Sequence, residues 1–159
     1  MSDNAVRIRL GIILLIAFVL HASIGGSIVI RNAHPDVALT TLLVACLFLG
    51  SSSGAVLGTV AGLLEASYTN RYVGSIMVSR TITGWAIGAM EERIFRDNVL
   101  FAIATVLVGT VVTEGLFFLF APQPHALRWL IRTSESSLYN AVLAIPIYYV
   151  VRKLAKSKD

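Results

Sequence analysis

Residues 37–64 read VALTTLLVACLFLGSSSGAVLGTVAGLL, 28 consecutive positions without a formal charge. As one helix this stretch would be roughly 42 Å long at 1.5 Å per residue, against a bilayer core of about 30 Å. Its middle carries Gly50-Ser51-Ser52-Ser53-Gly54, and glycine and serine are the residues that punctuate chains. The stretch therefore divides into two short helices, about 37–49 and 54–67, joined by a tight turn at the glycine and serine cluster.

Further apolar runs lie on either side. Leu10 to Ile30 is free of formal charge and follows Arg7 and Arg9, which reads as a first transmembrane helix entering from the cytoplasm. A cleaved signal peptide is the competing reading, but the run is long and a small-x-small cleavage site is poor. Downstream runs cover 73–90, interrupted by Arg80, 99–120, interrupted by Glu114, and 137–151. The expectation is an all-α polytopic protein, one integral membrane domain over 1–159 with six transmembrane helices and both termini cytoplasmic.

Charge placement tests that count, because one span more or fewer inverts every later loop. With six spans, Arg7, Arg9, Arg93, Arg96, Arg152, Lys153, Lys156 and Lys158 fall inside and Arg31, Arg71, Arg128 and Arg132 outside, eight against four. Treating 37–64 as one span gives five inside against seven outside, so six is preferred. The tally does not separate two full crossings from a re-entrant hairpin over 37–67, since both return the chain to the same side.

Composition agrees. In 159 residues, 56% are hydrophobic and 14% charged, with mean hydropathy +0.77; soluble domains carry about 25% charged residues. No room remains for a separate soluble catalytic domain. The net charge of +4 and pI near 9.6 do not indicate nucleic acid, because the basic residues flank apolar runs rather than forming a soluble basic face. Cys46 is the single cysteine, so neither a disulfide framework nor a thiolate metal site is available. Tyr68, Tyr72 and Trp129 near the outer boundary, and Tyr148 and Tyr149 towards the inner one, suit headgroup depth. His125 to Arg132 has the pattern of a short interfacial helix, which would rest on membrane lipid or dock a partner outside.

Charges inside a bilayer cost about 2.5–3.5 kcal/mol each on insertion scales. Glu65, Arg80 and Glu114 all fall in the outer half, Arg80 roughly 10 Å and Glu114 roughly 9 Å below the outer helix ends and Glu65 within about 5 Å of that boundary. The expected arrangement pairs Arg80 with Glu114, with Glu65 as a second carboxylate in reach. Either these groups fix helices to one another or they form a polar site for a ligand, a lipid headgroup or a partner helix.

Gly54, Gly58 and Gly62 recur at four-residue spacing, as do Gly84 and Gly88. Such faces let backbones approach closely, for packing within the chain or for docking another protein's helix. Enzyme signatures are lacking. His21, His34 and His125 show no metal-ligand spacing, and Ser51 to Ser53 read as turn residues with no activating base. Glu91, Glu92, Arg93, Arg96 and Asp97 read as a solvated cytoplasmic loop, with a cytoplasmic contact as the alternative. Pro146 bends the last helix, and Asn140 can hydrogen-bond across helices. No metal and no cofactor is expected.

In order and spacing, these features resemble the rod shape-determining protein MreD family. The resembling pieces are His34-Pro35-Asp36-Val37, the glycine ladder ending in Gly62-Leu63-Leu64-Glu65, Gly74 with Gly84 and Gly88, the basic loop through Arg93, Phe95 and Arg96, and Tyr139-Asn140-Ala141 followed by Pro146 and the basic tail from Arg152. The family commonly has aspartate where this chain has Glu65. The resemblance implies a non-enzymatic scaffold of the bacterial cell-elongation machinery in the inner membrane. It would bind MreC, and indirectly the MreB filament, the RodA glycosyltransferase and a class B penicillin-binding transpeptidase, in support of lateral peptidoglycan synthesis and cell shape. A second resemblance, to the substrate-binding components of energy-coupling-factor vitamin transporters, implies a similar six-helix fold. It would make Glu65, Arg80 and Glu114 the lining of an outward-facing pocket.

Overall fold

Asp36 starts the helix on which the others are assembled. Its backbone is extended, at φ −99° and ψ 91°, and its carboxylate accepts the Leu39 N–H at 2.8 Å, which satisfies one of the amides a helix start leaves unpaired. Thr40 and Thr41 donate their hydroxyls back to the carbonyls of Asp36 and Val37, at 2.7 and 2.8 Å. Polar side chains thereby enter an apolar interior with their hydrogen bonds already made.

The structure, a computed structural model, describes residues 3–24, 35–69, 72–91 and 97–156. Among them are six α-helices and no strand: α1 (Asp3–Ile24), α2 (Val37–Cys46), α3 (Ser51–Thr69), α4 (Val73–Glu91), α5 (Val99–Phe120) and α6 (Ala126–Lys156). Residues 25–30 of the expected first span, Arg31, His34, Arg71 and the loop through Arg93, Phe95 and Arg96 lie outside the described residues, as do the side chains of Tyr68, Glu91 and Lys156.

α2 is buried at every position from Leu39 to Cys46 and is only about 15 Å long. Leu10 and Leu14 of α1, Val106 of α5 and Ala144 and Val151 of α6 join it in the core. The turn after it differs from the sequence expectation. Phe48 and Leu49 donate to carbonyls three residues back, and Ser51 to Ser53 form the first turn of α3 instead of the connection. Gly50 is the pivot, its carbonyl accepting the Gly54 N–H at 2.9 Å.

α3 and α4 form the closest pair. A Cβ on Gly54 would collide with the Gly84 carbonyl, one on Gly58 with the Arg80 carbonyl, and one on Gly62 with the Met77 Cα. The reciprocal positions are equally closed, Gly84 against Gly54 and Gly88 against Gly50. Thr59 and Thr81 share a hydroxyl hydrogen bond of 2.9 Å across the same seam.

α5 begins where Asn98 accepts the Leu100 N–H at 2.9 Å. It buries Ala102, Thr105, Val106, Gly109, Thr110 and Thr113, a stripe of one helical face. α6 runs 31 residues without a break, about 46 Å, so His125 to Arg132 is not a separate interfacial helix. No glycine or proline intervenes before Ser137 to break the helix, and Ser134 and Ser137 satisfy their hydroxyls on the Leu130 and Ser134 carbonyls at 2.9 and 2.8 Å. Pro146 lies on an exposed face of α6.

The exterior is apolar. Leu15, Val19, Val56, Leu63, Trp85, Val108, Leu119, Leu138 and Val142 are all exposed, the inverse of a water-soluble surface. α1 and α5 contain segments, Ala5–Ser23 and Val99–Phe120, long and apolar enough to cross a bilayer.

Candidate functional site

A cavity of about 480 Å³ opens at one end of the bundle. It is lined by His21 late in α1, Asp36 at the start of α2, Glu65 late in α3, Arg80 early in α4, Glu114 late in α5 and Asn140 in the first half of α6. Helix ends of alternating polarity thus meet there, so successive helices alternate in direction. The first residues of α1 and the last of α6 lie at the opposite end, where Val6 and Ala155 pack on the common core.

Arg80 is its central group. Only 4% of it is exposed, and it donates from Nε to Glu65 Oε2 at 2.9 Å and from Nη2 to Glu65 Oε1 at 2.8 Å, the two-pronged geometry that makes guanidinium–carboxylate pairs strong. Glu114 Oε1 stands 3.6 Å from Arg80 Nη2. All three charges anticipated within the membrane therefore converge, with the order of partners reversed: Glu65 is the tight partner and Glu114 the loose one. The glycine seam causes this. Gly58 lets α3 lie directly on the Arg80 backbone, and Glu65, two turns further along α3, is then level with the outgoing guanidinium.

Asn140, fully buried, ties the remaining helices to this centre. Its Oδ1 accepts the Asp36 N–H at 2.8 Å, and its Nδ2 donates to Thr110 Oγ1 at 3.2 Å. One amide thus links α6, α5 and the start of α2. His21 Nδ1 lies 3.8 Å from Asp36 Oδ1, and Tyr72, in the left-handed region at φ 52°, sets its ring edge-on to Phe117 at 6.0 Å. Pro35 precedes the Asp36 cap. Pro146 takes no part in the cavity, and the five glycines Gly54, Gly58, Gly62, Gly84 and Gly88 line the α3–α4 seam beside it.

Several lining residues were not assigned to a site from sequence: Trp129 and Arg132 read only as features of the outer boundary. Trp129 stacks on Phe118 at 4.4 Å and lines the cavity with Arg132 and Thr110. His21 reads in the sequence only as a histidine without metal-ligand spacing to His34 or His125. Its one available signal was being a polar residue in an otherwise apolar run ending near the level of Asp36.

No solved structure matches this fold. One curated relative, an undecaprenyl-diphosphatase of Pyrobaculum aerophilum, is 27% identical over 103 residues. That match covers 62% of this chain and 37% of the relative, so the chain spans well under half of that protein. The family model for rod shape-determining protein MreD, by contrast, matches residues 2–158. With an apolar exterior, two membrane-length helices and a whole-length family match, this membrane protein belongs to the MreD family of rod shape-determining proteins.

Proposed function

We propose that the chain is a non-enzymatic scaffold of the bacterial rod complex, a six-span protein of the inner membrane with both termini in the cytoplasm, that binds MreC. Through MreC it would act on the MreB filament, RodA and the class B transpeptidase, and so on lateral peptidoglycan synthesis. The whole-length match to the shape-determining family carries this reading. The fold supports it in two ways. Alternating helix directions bring the start of α1 and the end of α6 to one end of the bundle, where the basic residues Arg152 and Lys153 also lie, as positive-inside placement favours. Helices with so little mass between them leave intramembrane contact as the means of action.

The glycine faces of α3 and α4 are filled by one another, so an MreC transmembrane helix would pack on the outward apolar faces. The transporter reading has no support from the family match, and its likeness of fold rests on resemblance alone. Depletion in a rod-shaped host separates the two. A scaffold's loss rounds the cells, and re-expression restores rods. Unchanged shape, together with a tightly bound vitamin in the purified protein, would contradict the scaffold and favour transport.

A further inference from the structure

The cavity's charges do not balance. Asp36, Glu65 and Glu114 face two guanidinium groups, Arg80 and Arg132, and Arg80 with Glu65 already forms a closed bidentate pair. Among the described residues Glu114 accepts no hydrogen bond; Arg80 stands 3.6 Å from its Oε1, and Arg132 is a second cation near enough to act on it. Asp36 receives the Leu39 amide on Oδ1, with His21 at 3.8 Å from the same oxygen, and among the described residues no hydrogen bond reaches its other oxygen. Conversely, the Trp129 Nε1 donor is buried without an acceptor. The two carboxylates, 22% and 27% exposed, are open to the cavity, whereas a buried donor left unpaired is costly.

We propose that this cavity binds an organic ammonium compound that also carries a hydrogen-bond acceptor. The carboxylates of Glu114 and Asp36 hold the ammonium, and the indole N–H of Trp129 holds the acceptor. An ammonium group has three donors and no acceptor, complementing the excess carboxylate. Phe117, Tyr72 and Trp129 also line the cavity, and aromatic rings attract cations. A bare metal ion fits poorly, since among the described residues no three His, Cys, Asp or Glu side chains converge as ligands. A di-anionic phosphate would meet a surplus of negative charge. The volume of about 480 Å³ lies in the range of small-molecule sites. The ammonium and its acceptor can belong to an aminophospholipid headgroup or to a free zwitterion of the same chemistry. The inference does not depend on MreC.

The test uses the full chain in nanodiscs of phosphatidylglycerol alone, titrated with the soluble phosphodiester zwitterion glycerophosphoethanolamine, and in parallel nanodiscs containing phosphatidylethanolamine. Binding is read as a rise in thermal midpoint. A rise with the soluble compound assigns a free zwitterion; a rise only with phosphatidylethanolamine assigns the lipid headgroup. Inorganic phosphate and ethylene glycol should leave the midpoint unmoved. Glu114→Gln should weaken binding by on the order of tenfold, as expected for losing a charged hydrogen bond. Trp129→Phe, which removes the N–H and keeps an aromatic ring, should weaken it several-fold and serves if the first variant does not fold. No rise in either arm, an equal rise with phosphate or glycol, or unaltered binding in the folded variants overturns the proposal.

Discussion

Arg80 of α4 holds both carboxylate oxygens of Glu65 of α3, at 2.9 and 2.8 Å, while Glu114 of α5 stands off at 3.6 Å. The position is set by packing before it is set by charge, because Gly58 brings α3 onto the Arg80 backbone itself.

Breaking this pair leaves an uncompensated charge in a low-dielectric interior. Arg80→Ala should destabilise the protein by about 3–5 kcal/mol, measured by thermal or denaturant unfolding in detergent. Arg80→Lys should recover only part, since an ammonium cannot make the two-pronged contact. Glu114→Gln should fall within about 1 kcal/mol of the parent. Exchanging Glu65→Arg with Arg80→Glu should restore some of what either change loses alone.

The glycine seam should tolerate almost nothing. Gly58→Ala places a methyl group against the Arg80 carbonyl and Gly54→Ala one against that of Gly84, each costing about 1–3 kcal/mol or more as overpacking. Gly115→Ala, with open space around the added carbon, is the matched control and should be neutral or slightly stabilising, since alanine is the better helix former.

Asn140→Ala should leave the Asp36 amide and the Thr110 hydroxyl without their partner, at about 1–3 kcal/mol. Asp36→Asn keeps a capping oxygen for Leu39 and should be mild, whereas Asp36→Ala should cost about 1 kcal/mol. The same unfolding assay ranks all three.

The six-span arrangement predicts opposite accessibility at the two ends of α6. In a Cys46→Ala background, Arg128→Cys should react with a membrane-impermeant maleimide added to intact spheroplasts. Lys153→Cys should react only after permeabilisation. Labelling of both from the same side would contradict six spans.

Much of this was legible in the sequence, and the misses have physical reasons. α5 coincides with its apolar run because Asn98 caps one end and the run stops at Ala121 and Pro122. The division of 37–64 followed from bilayer thickness, although α2 stops at Cys46 and the serines join α3. α6 reads in the sequence as two pieces, an interfacial helix over His125 to Arg132 and a span over 137–151, because hydropathy reports contact with lipid, not helix continuity, and Thr133 to Ser137 are polar yet helical. Helix-depth arithmetic placed Glu65, Arg80 and Glu114 at one level but could not say which helices were neighbours. That came from the glycines, whose packing puts Glu65 beside Arg80. His21 and Trp129 needed the fold, since neither carries a charge that a membrane would penalise.

The central claim, that this chain scaffolds the rod complex through MreC, is tested most directly by co-purification from a host producing both full-length proteins at native levels. The account predicts that MreC is retained with the chain in mild detergent at near-stoichiometric amount. Absence of MreC from the purified, folded chain, with both proteins verified in the membrane, would contradict it.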